Sequence, residues 1–473
     1  MSNNKYKTLF SNTLLISIGT FGSKLLVFLM VRFYTGYLAP SDYGTADLIT
    51  QTANLLFPIV SLGITEGVFR FAMDSSSDRK SVFSYGLFAI MGGLLLFLGI
   101  APLLGLVSSF DGYVWLILVY TVAYCLHSLC SQYIRAIGKT AFFAVQGIIN
   151  TMLVIALNIL FLAVFDMGIT GYVLSVAVAD IFCTLLMVIK EKLWRVVTFK
   201  PDKRLLKPML KYSIPLIPTT VFWWVTSVSD RYMVNGIVGS GANGIYTVSY
   251  KLPTLLTIVS TIFMQAWQFS AVTESDTNEE EHREFFSNVW QSFQAVMFLS
   301  GSVIVLFAKP AIKLLTDKDY YSAWKFVPLL SAAMVFTALT SFMGTVYVVK
   351  KKSLISFYTA LIGAVSNIVL NFLLIPSYLE AQGAAIATVA SYLLVFIIRA
   401  ENSQKYIKFN LQRKYVAINS AIIFVQSIVV ITEFKFWQIV AFCCTVLMFA
   451  VNIKFIMSFV NRIFSTVFGG GKK

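Results

Sequence analysis

The sequence predicts an all-α polytopic membrane protein of about fourteen transmembrane helices. Three observations predict it. Of the 473 residues, 58% are hydrophobic and only 12% are charged, whereas soluble domains average about 45–50% apolar and about 25% charged residues. The apolar residues gather in blocks of the length a membrane helix needs, about 20 residues. The blocks recur from Leu9 almost to the C-terminus, without the alternating apolar and polar pattern of an outer-membrane barrel.

Taken in order, the predicted spans are 9–33, 43–73, 82–107, 113–134, 141–165, 169–189 and 212–237. They continue as 242–272, 285–308, 323–349, 354–375, 382–398, 416–432 and 434–459. The first run is longer than the apolar core of a cleavable signal, about 7–15 residues. Only Glu433 and Lys435 mark the turn of the last hairpin.

Net charge is +15, from 37 Lys and Arg against 22 Asp and Glu. In a soluble chain that excess would point to nucleic acid. Here the basic residues concentrate in short loops on one side, so membrane orientation accounts for them and no nucleic-acid partner is expected. Both termini then fall on the cytoplasmic side. So do the segment 190–211, with Lys200, Lys203, Arg204 and Lys207, and the triplet Lys350, Lys351 and Lys352. The segment 190–211 reads as a linker loop. Two loops dissent: an outside one carries Lys309, Lys313, Lys318 and Lys325, offset in part by Asp317 and Asp319, and an inside one is acidic, with Glu274, Asp276, Glu279, Glu280 and Glu281.

An internal repeat organises the spans. Lys139, Asn158 and Gly171 recur as Lys352, Asn371 and Gly383 at matching spacing. Upstream, Arg32-Phe33-Tyr34 with Asp42-Tyr43-Gly44 parallels Arg231-Tyr232-Met233 with Gly244-Ile245-Tyr246. The offset is about 200–213 residues throughout. Each half holds six helices in one orientation, a parallel repeat with a substrate site expected between the lobes. The expected division is a six-helix lobe over 1–199, a second over 200–411, and two further helices with a tail over 412–473.

Charged residues inside a bilayer cost about 2.5–3.5 kcal/mol each at the centre of a helix, so they are functional candidates. Lys24 lies past the middle of the first span, where it either faces a polar cavity or pairs with a neighbouring helix. Arg32, Arg231 and Lys251 fall near outer span ends. They could form a cationic patch for phosphate or snorkel to headgroups. Asp230 is expected to neutralise Arg231 or Lys251. Glu66 and Arg70 stand one turn apart, so an ion pair is one reading and an anion contact at Arg70 the other. Asp180 is isolated, suited to a coupling proton or cation or to a structural hydrogen bond. Asn158 and Asn371 fit interhelical hydrogen bonds. Pro58, Pro215, Pro218 and Pro253 predict bends.

Catalytic signals are few. The two histidines, His127 and His282, are far apart, and five cysteines lie within apolar runs without metal-ligand spacing. Neither a metal nor a cofactor is expected, and the chain does not read as an enzyme. Gly138-Lys139-Thr140 is no phosphate-binding loop, because Tyr133 stands where that motif needs glycine.

The run from Arg32 through Asp42-Tyr43-Gly44, Leu62-Gly63 and Arg70-Phe71 resembles the opening helices of polysaccharide-biosynthesis flippases. Asp230-Arg231-Tyr232, Gly244-Ile245-Tyr246 and Tyr250-Lys251 resemble them too. These proteins belong to the multidrug/oligosaccharidyl-lipid/polysaccharide exporter superfamily, and within it the chain resembles the Wzx-type O-antigen and capsule flippases. The resemblance implies two six-helix lobes in a V around a central cavity. It also implies an undecaprenyl-pyrophosphate-linked oligosaccharide as substrate, in the cell membrane, with a polysaccharide polymerase and glycosyltransferases as neighbours. Lys24, Arg32, Arg70, Arg231 and Lys251 would supply the cavity's cations. Fourteen-helix members, which include lipid II flippases, carry two extra helices that form a lipid-facing groove.

Four functions compete. A lipid-linked oligosaccharide flippase fits the basic intramembrane bias. A lipid II flippase fits the two extra helices. A cation-coupled multidrug exporter of the same superfamily would want acidic cavity residues. A membrane-bound glycosyltransferase or polymerase would want a large loop domain, and the loops here are short.

Overall fold

The computed structural model describes residues 26, 28–74, 77–273, 279–350 and 352–468, and among these there is helix but no strand. The chain forms two compact units: Met1–Val228 with Gly239–Gly244, and Ser229–Val238 with Ile245–Lys473.

The first unit runs α1 Val31–Tyr37, α2 Pro40–Val60, α3 Ile64–Ala72, α4 Arg79–Ile100, α5 Val114–Ala136, α6 Thr140–Asn158, α7 Gly168–Glu191 and α8 Lys203–Ser213. It also takes most of α9, Leu216–Ile237, and the start of α10, Ser240–Ser249. The second unit holds α11 Thr254–Thr273, α12 Glu279–Leu306, α13 Ala308–Leu315, α14 Val327–Val349 and α15 Ser353–Leu374. It closes with α16 Glu380–Ser403, α17 Arg413–Thr432 and α18 Trp437–Phe468.

Each predicted span from the second to the fourteenth has its helix. Most of the first span lies outside the described residues. Nine helical stretches among the described residues are long and apolar enough to cross a bilayer, or ten with one bent pair. That pair is α2 and α3, which meet at 57°. The bend has a local cause. Pro58 removes a helical hydrogen bond, and Leu62 and Gly63 then take positive φ. Glycine is needed at 63 for space as well, since a Cβ there would lie 2.8 Å from the Ser213 carbonyl oxygen.

The repeat is visible in backbone form. After Asn158 the chain makes a π-helical stretch, Ile159–Val164, and after α15 it makes another, Ile375–Leu379. In each half a close-packed glycine follows. A Cβ on Gly171 would meet Phe161, and one on Gly383 would meet the Leu374 backbone. Repeat partners also touch inside the first unit. Gly44 and Gly244 face each other so tightly that a methyl on either would overlap opposing backbone, and Asn243 Nδ2 donates to the Gly44 carbonyl at 3.0 Å.

Apolar packing and polar clasps share the work in the second unit. Trp267, Phe286, Trp290 and Phe342 stack at its centre. The C-terminal hairpin is fastened to α12 by side-chain amides, which stabilise helix pairs where lipid offers no hydrophobic drive. Asn419 donates to Gln294 at 3.1 Å and exchanges bonds with Asn452. Gln426 bridges Ser302, Ala441 and Thr445 at 2.7–3.1 Å.

One expectation needs correction. Nine residues of the segment 190–211, from Lys203 on, are not loop but the start of α8. Asp202 caps it by accepting from the Arg204 N–H at 3.0 Å. Leu205, Met209 and Ser213 then repeat at helical spacing on the face turned inward.

Candidate functional site

Lys24 lies outside the described residues. Arg32 is exposed on α1. Glu66 and Arg70 are both exposed on α3, one turn apart. Among the described residues Glu66 accepts from Gln132 Nε2 at 3.4 Å, and no ion pair joins it to Arg70.

Asp180 is not isolated. It is buried on α7, where Asn150 Nδ2 of α6 donates to Oδ1 at 2.7 Å and His127 Nδ1 of α5 stands 3.5 Å away. The other imidazole nitrogen of His127 lies 2.9 Å from Gln146 Oε1, and Gln146 Nε2 donates to Ser131 at 3.3 Å. Three successive spans therefore contribute to one buried polar chain. A carboxylate paired with an imidazole can hold or exchange a proton.

In the second unit Asp230 and Arg231 lie on α9, and Lys251 follows the end of α10. Asp230 is 2% exposed. Its Oδ2 accepts from Tyr250 at 2.5 Å, Tyr246 at 2.9 Å and Thr388 at 3.4 Å, while its Oδ1 accepts the Arg231 backbone N–H at 2.9 Å. Three hydroxyls thus surround this carboxylate. The Arg231 guanidinium lies over the Tyr250 ring at 5.0 Å, a cation–π contact. The cluster continues through Asn367, which receives a bond from Ser229 at 3.3 Å and another from Asn371 at 2.9 Å, and donates to Thr388 at 3.4 Å. Asn371 Oδ1 is buried with no donor among the described residues. Carboxylate, amide and hydroxyl oxygens in one place are the ligand type of a hard cation. No group of three His, Cys, Asp or Glu residues suited to a metal occurs among the described residues.

Two further features escape the sequence reading. Arg399 of α16 is 6% exposed and has no carboxylate partner among the described residues. It donates to Thr359 Oγ1 at 2.8 Å, the Ser356 carbonyl at 3.1 Å and the Thr340 carbonyl at 3.2 Å. A groove of about 260 Å³ lies beside α16 and α17, lined by Leu393, Phe396, Ile397, Val416 and Ala417, with the Glu401–Arg413 pair at 3.0 Å on its wall.

A family profile described as polysaccharide biosynthesis protein matches residues 9–268. The chain belongs to the polysaccharide biosynthesis protein family. No curated protein sequence matches this family member. Among solved structures it is similar to a lipid II flippase in an inward closed conformation, with TM-score 0.70 and 16% identity over 95% of this chain and 99% of that one. It is also similar to an inward-facing multidrug resistance MATE family transporter of the MOP superfamily, with TM-score 0.66 and 12% identity over 81% and 96%. An outward-facing MATE family transporter gives TM-score 0.59 and 14% identity over 84% and 94%. The fold of this polysaccharide biosynthesis protein is therefore that of the transporters, a multi-pass membrane fold.

Proposed function

We propose that the chain is a flippase that moves undecaprenyl-pyrophosphate-linked oligosaccharide repeat units from the cytoplasmic to the outer leaflet. The family match across residues 9–268 carries the reading. The basic intramembrane residues support it, because a pyrophosphate needs cations. Lys24, Arg32, Arg70, Arg231 and Lys251 take that role, with Arg231 held ready by the Tyr250 ring. The lobes of the repeat would exchange access while the prenyl tail stays in lipid. The chain sits in the cell membrane with both termini cytoplasmic, as its basic loops favour. A polysaccharide polymerase and glycosyltransferases would act on either side of its step.

An ion gradient or the membrane potential drives transport in this reading. Asp230, within its oxygen-rich cluster, is the place for a coupling cation. Asp180, beside His127, is the place for a proton, and Glu66 is the third acidic candidate.

A second reading is a lipid II flippase. The amide-clasped hairpin α17–α18 favours it, together with a likeness that extends over 99% of the lipid II flippase chain. In either reading the groove beside α16 and α17 is suited to a prenyl chain.

The test is transbilayer movement in proteoliposomes, with the two lipid-linked substrates offered separately. The native chain is expected to move the oligosaccharide lipid, and equally inserted Arg231→Ala and Lys24→Ala to lose at least tenfold in rate. Movement of lipid II alone would establish the second reading. Movement of cationic dyes and of neither lipid would overturn both.

A further inference from the structure

The helix α8 belongs neither to the spans nor to the charged clusters described above. Its face turned away from the unit carries two parallel stripes. Lys203, Lys207 and Lys211 recur every fourth residue, and Leu206, Leu210 and Ile214 run alongside them. Together they line an open groove of about 510 Å³. None of the three ammonium groups has a protein partner among the described residues. The nearby carboxylates do not neutralise them. Asp202 is turned to the Arg204 N–H, and Asp78 to the Lys80 and Ser81 N–H groups.

An amphipathic helix with lysines on one stripe and leucines on the next lies in the membrane–water interface. Pro215 ends it and hands the chain to the span α9. In that position an apolar stripe would meet acyl chains and a lysine stripe headgroups. We propose that this groove binds an anionic phospholipid of the adjoining leaflet, with the three lysines on the phosphate and Leu206, Leu210 and Ile214 on the first acyl carbons. Charge complementarity argues for that occupant over a zwitterionic lipid, since a row of three uncompensated cations favours a net negative headgroup.

The site is tied to a part that bends. On its inner side α8 presses against α3. A Cβ on Gly67 would overlap Ser213 Oγ, Gly63 abuts the Ser213 carbonyl, and Phe71 meets the Tyr212 ring edge-on at 6.3 Å. A lipid on α8 therefore braces the half of the broken span that carries Glu66 and Arg70.

The experiment is binding of phosphatidylglycerol, phosphatidylcholine and undecaprenyl pyrophosphate, each offered separately, to the purified full chain in neutral detergent, which measures no transport and so stands apart from the flippase reading. Phosphatidylglycerol is expected to bind tightly, with salt weakening it. Each single Lys→Gln change should weaken it about fivefold, and K203Q/K207Q/K211Q about a hundredfold, at about 1 kcal/mol per cation. The triple Lys→Arg variant should keep binding, and K190Q/K192Q/R195Q should leave it unchanged. Equal binding of the two phospholipids, or native-like binding by the folded triple glutamine variant, overturns the proposal. Preferential capture of undecaprenyl pyrophosphate over phosphatidylglycerol overturns it too, because the groove would then serve substrate entry. If the glutamine variant fails to fold, the single variants and the salt series decide.

Discussion

Arg399 and Asp78 show how differently a charge behaves at the centre and at the rim of this protein. Arg399 is buried among neutral acceptors on α14 and α15, so it staples three helices with no counter-ion among the described residues. Hydrogen bonds to a charged group contribute about 1.5–3 kcal/mol, and Arg399→Ala is expected to lower stability by about that much. The midpoint of thermal unfolding in detergent measures it. An unchanged midpoint would mean that relief of desolvation cancels the lost bonds. Asp78 caps α4 at the surface. Its bond from the Ser81 hydroxyl, helped by the Lys80 and Ser81 N–H groups, holds its pKa below the usual 3.8. A lowered native pKa stabilises the fold above the ordinary value, and the contribution is lost as pH falls through the native pKa. Asp78→Ala should therefore cost about 1 kcal/mol near neutrality, and the gap to the native chain should close below about pH 3.8. Unfolding midpoints at pH 7 and pH 3 check the sign. Asp78 was open to sequence reading, as a capping residue just ahead of an apolar run. Arg399 was hidden, because it stands one residue past the predicted end of its span.

Among elements, the appended hairpin, the broken second span and α8 carry most of the information beyond helix count. The hairpin α17–α18 rests on amides rather than on shape alone. Gln426→Leu removes bonds to Ser302, Ala441 and Thr445 and is expected to destabilise by about 0.6–1.7 kcal/mol. Faster proteolysis within the turn near Glu433, compared with the native chain, would report the loosening. Native-like resistance would mean that apolar packing alone holds the hairpin. Hydropathy found this hairpin and its turn, since Glu433 and Lys435 interrupt one long apolar run. Pro58 announced a bend in the second span but not its angle, which depends on α8 seated against Gly63 and Gly67. The segment 190–211 was misread as a loop because its charge concealed the weaker repeat of Leu205 and Met209.

For the molecule as a whole, the two halves repeat not only in motif but in backbone detail, down to a π-helical stretch and a crowded glycine in each. Their polar interiors differ. One is built on Asp180 and His127, the other on Asp230 with Tyr246, Tyr250, Asn367 and Thr388. The transport reading treats that difference as a division of labour in ion coupling. Composition and hydropathy alone determined the all-α membrane class and thirteen span positions now seen as helices, because each depends on residues close in sequence or on a fixed period. Motif resemblance pointed to the family that the profile match then established. Only tertiary structure decided which polar residues meet. His127 and Asp180 are 3.5 Å apart in space on helices two spans removed, and Asp230 gathers hydroxyls from α10 and α16. Such encounters depend on how helix faces turn toward one another, and no local periodicity encodes that.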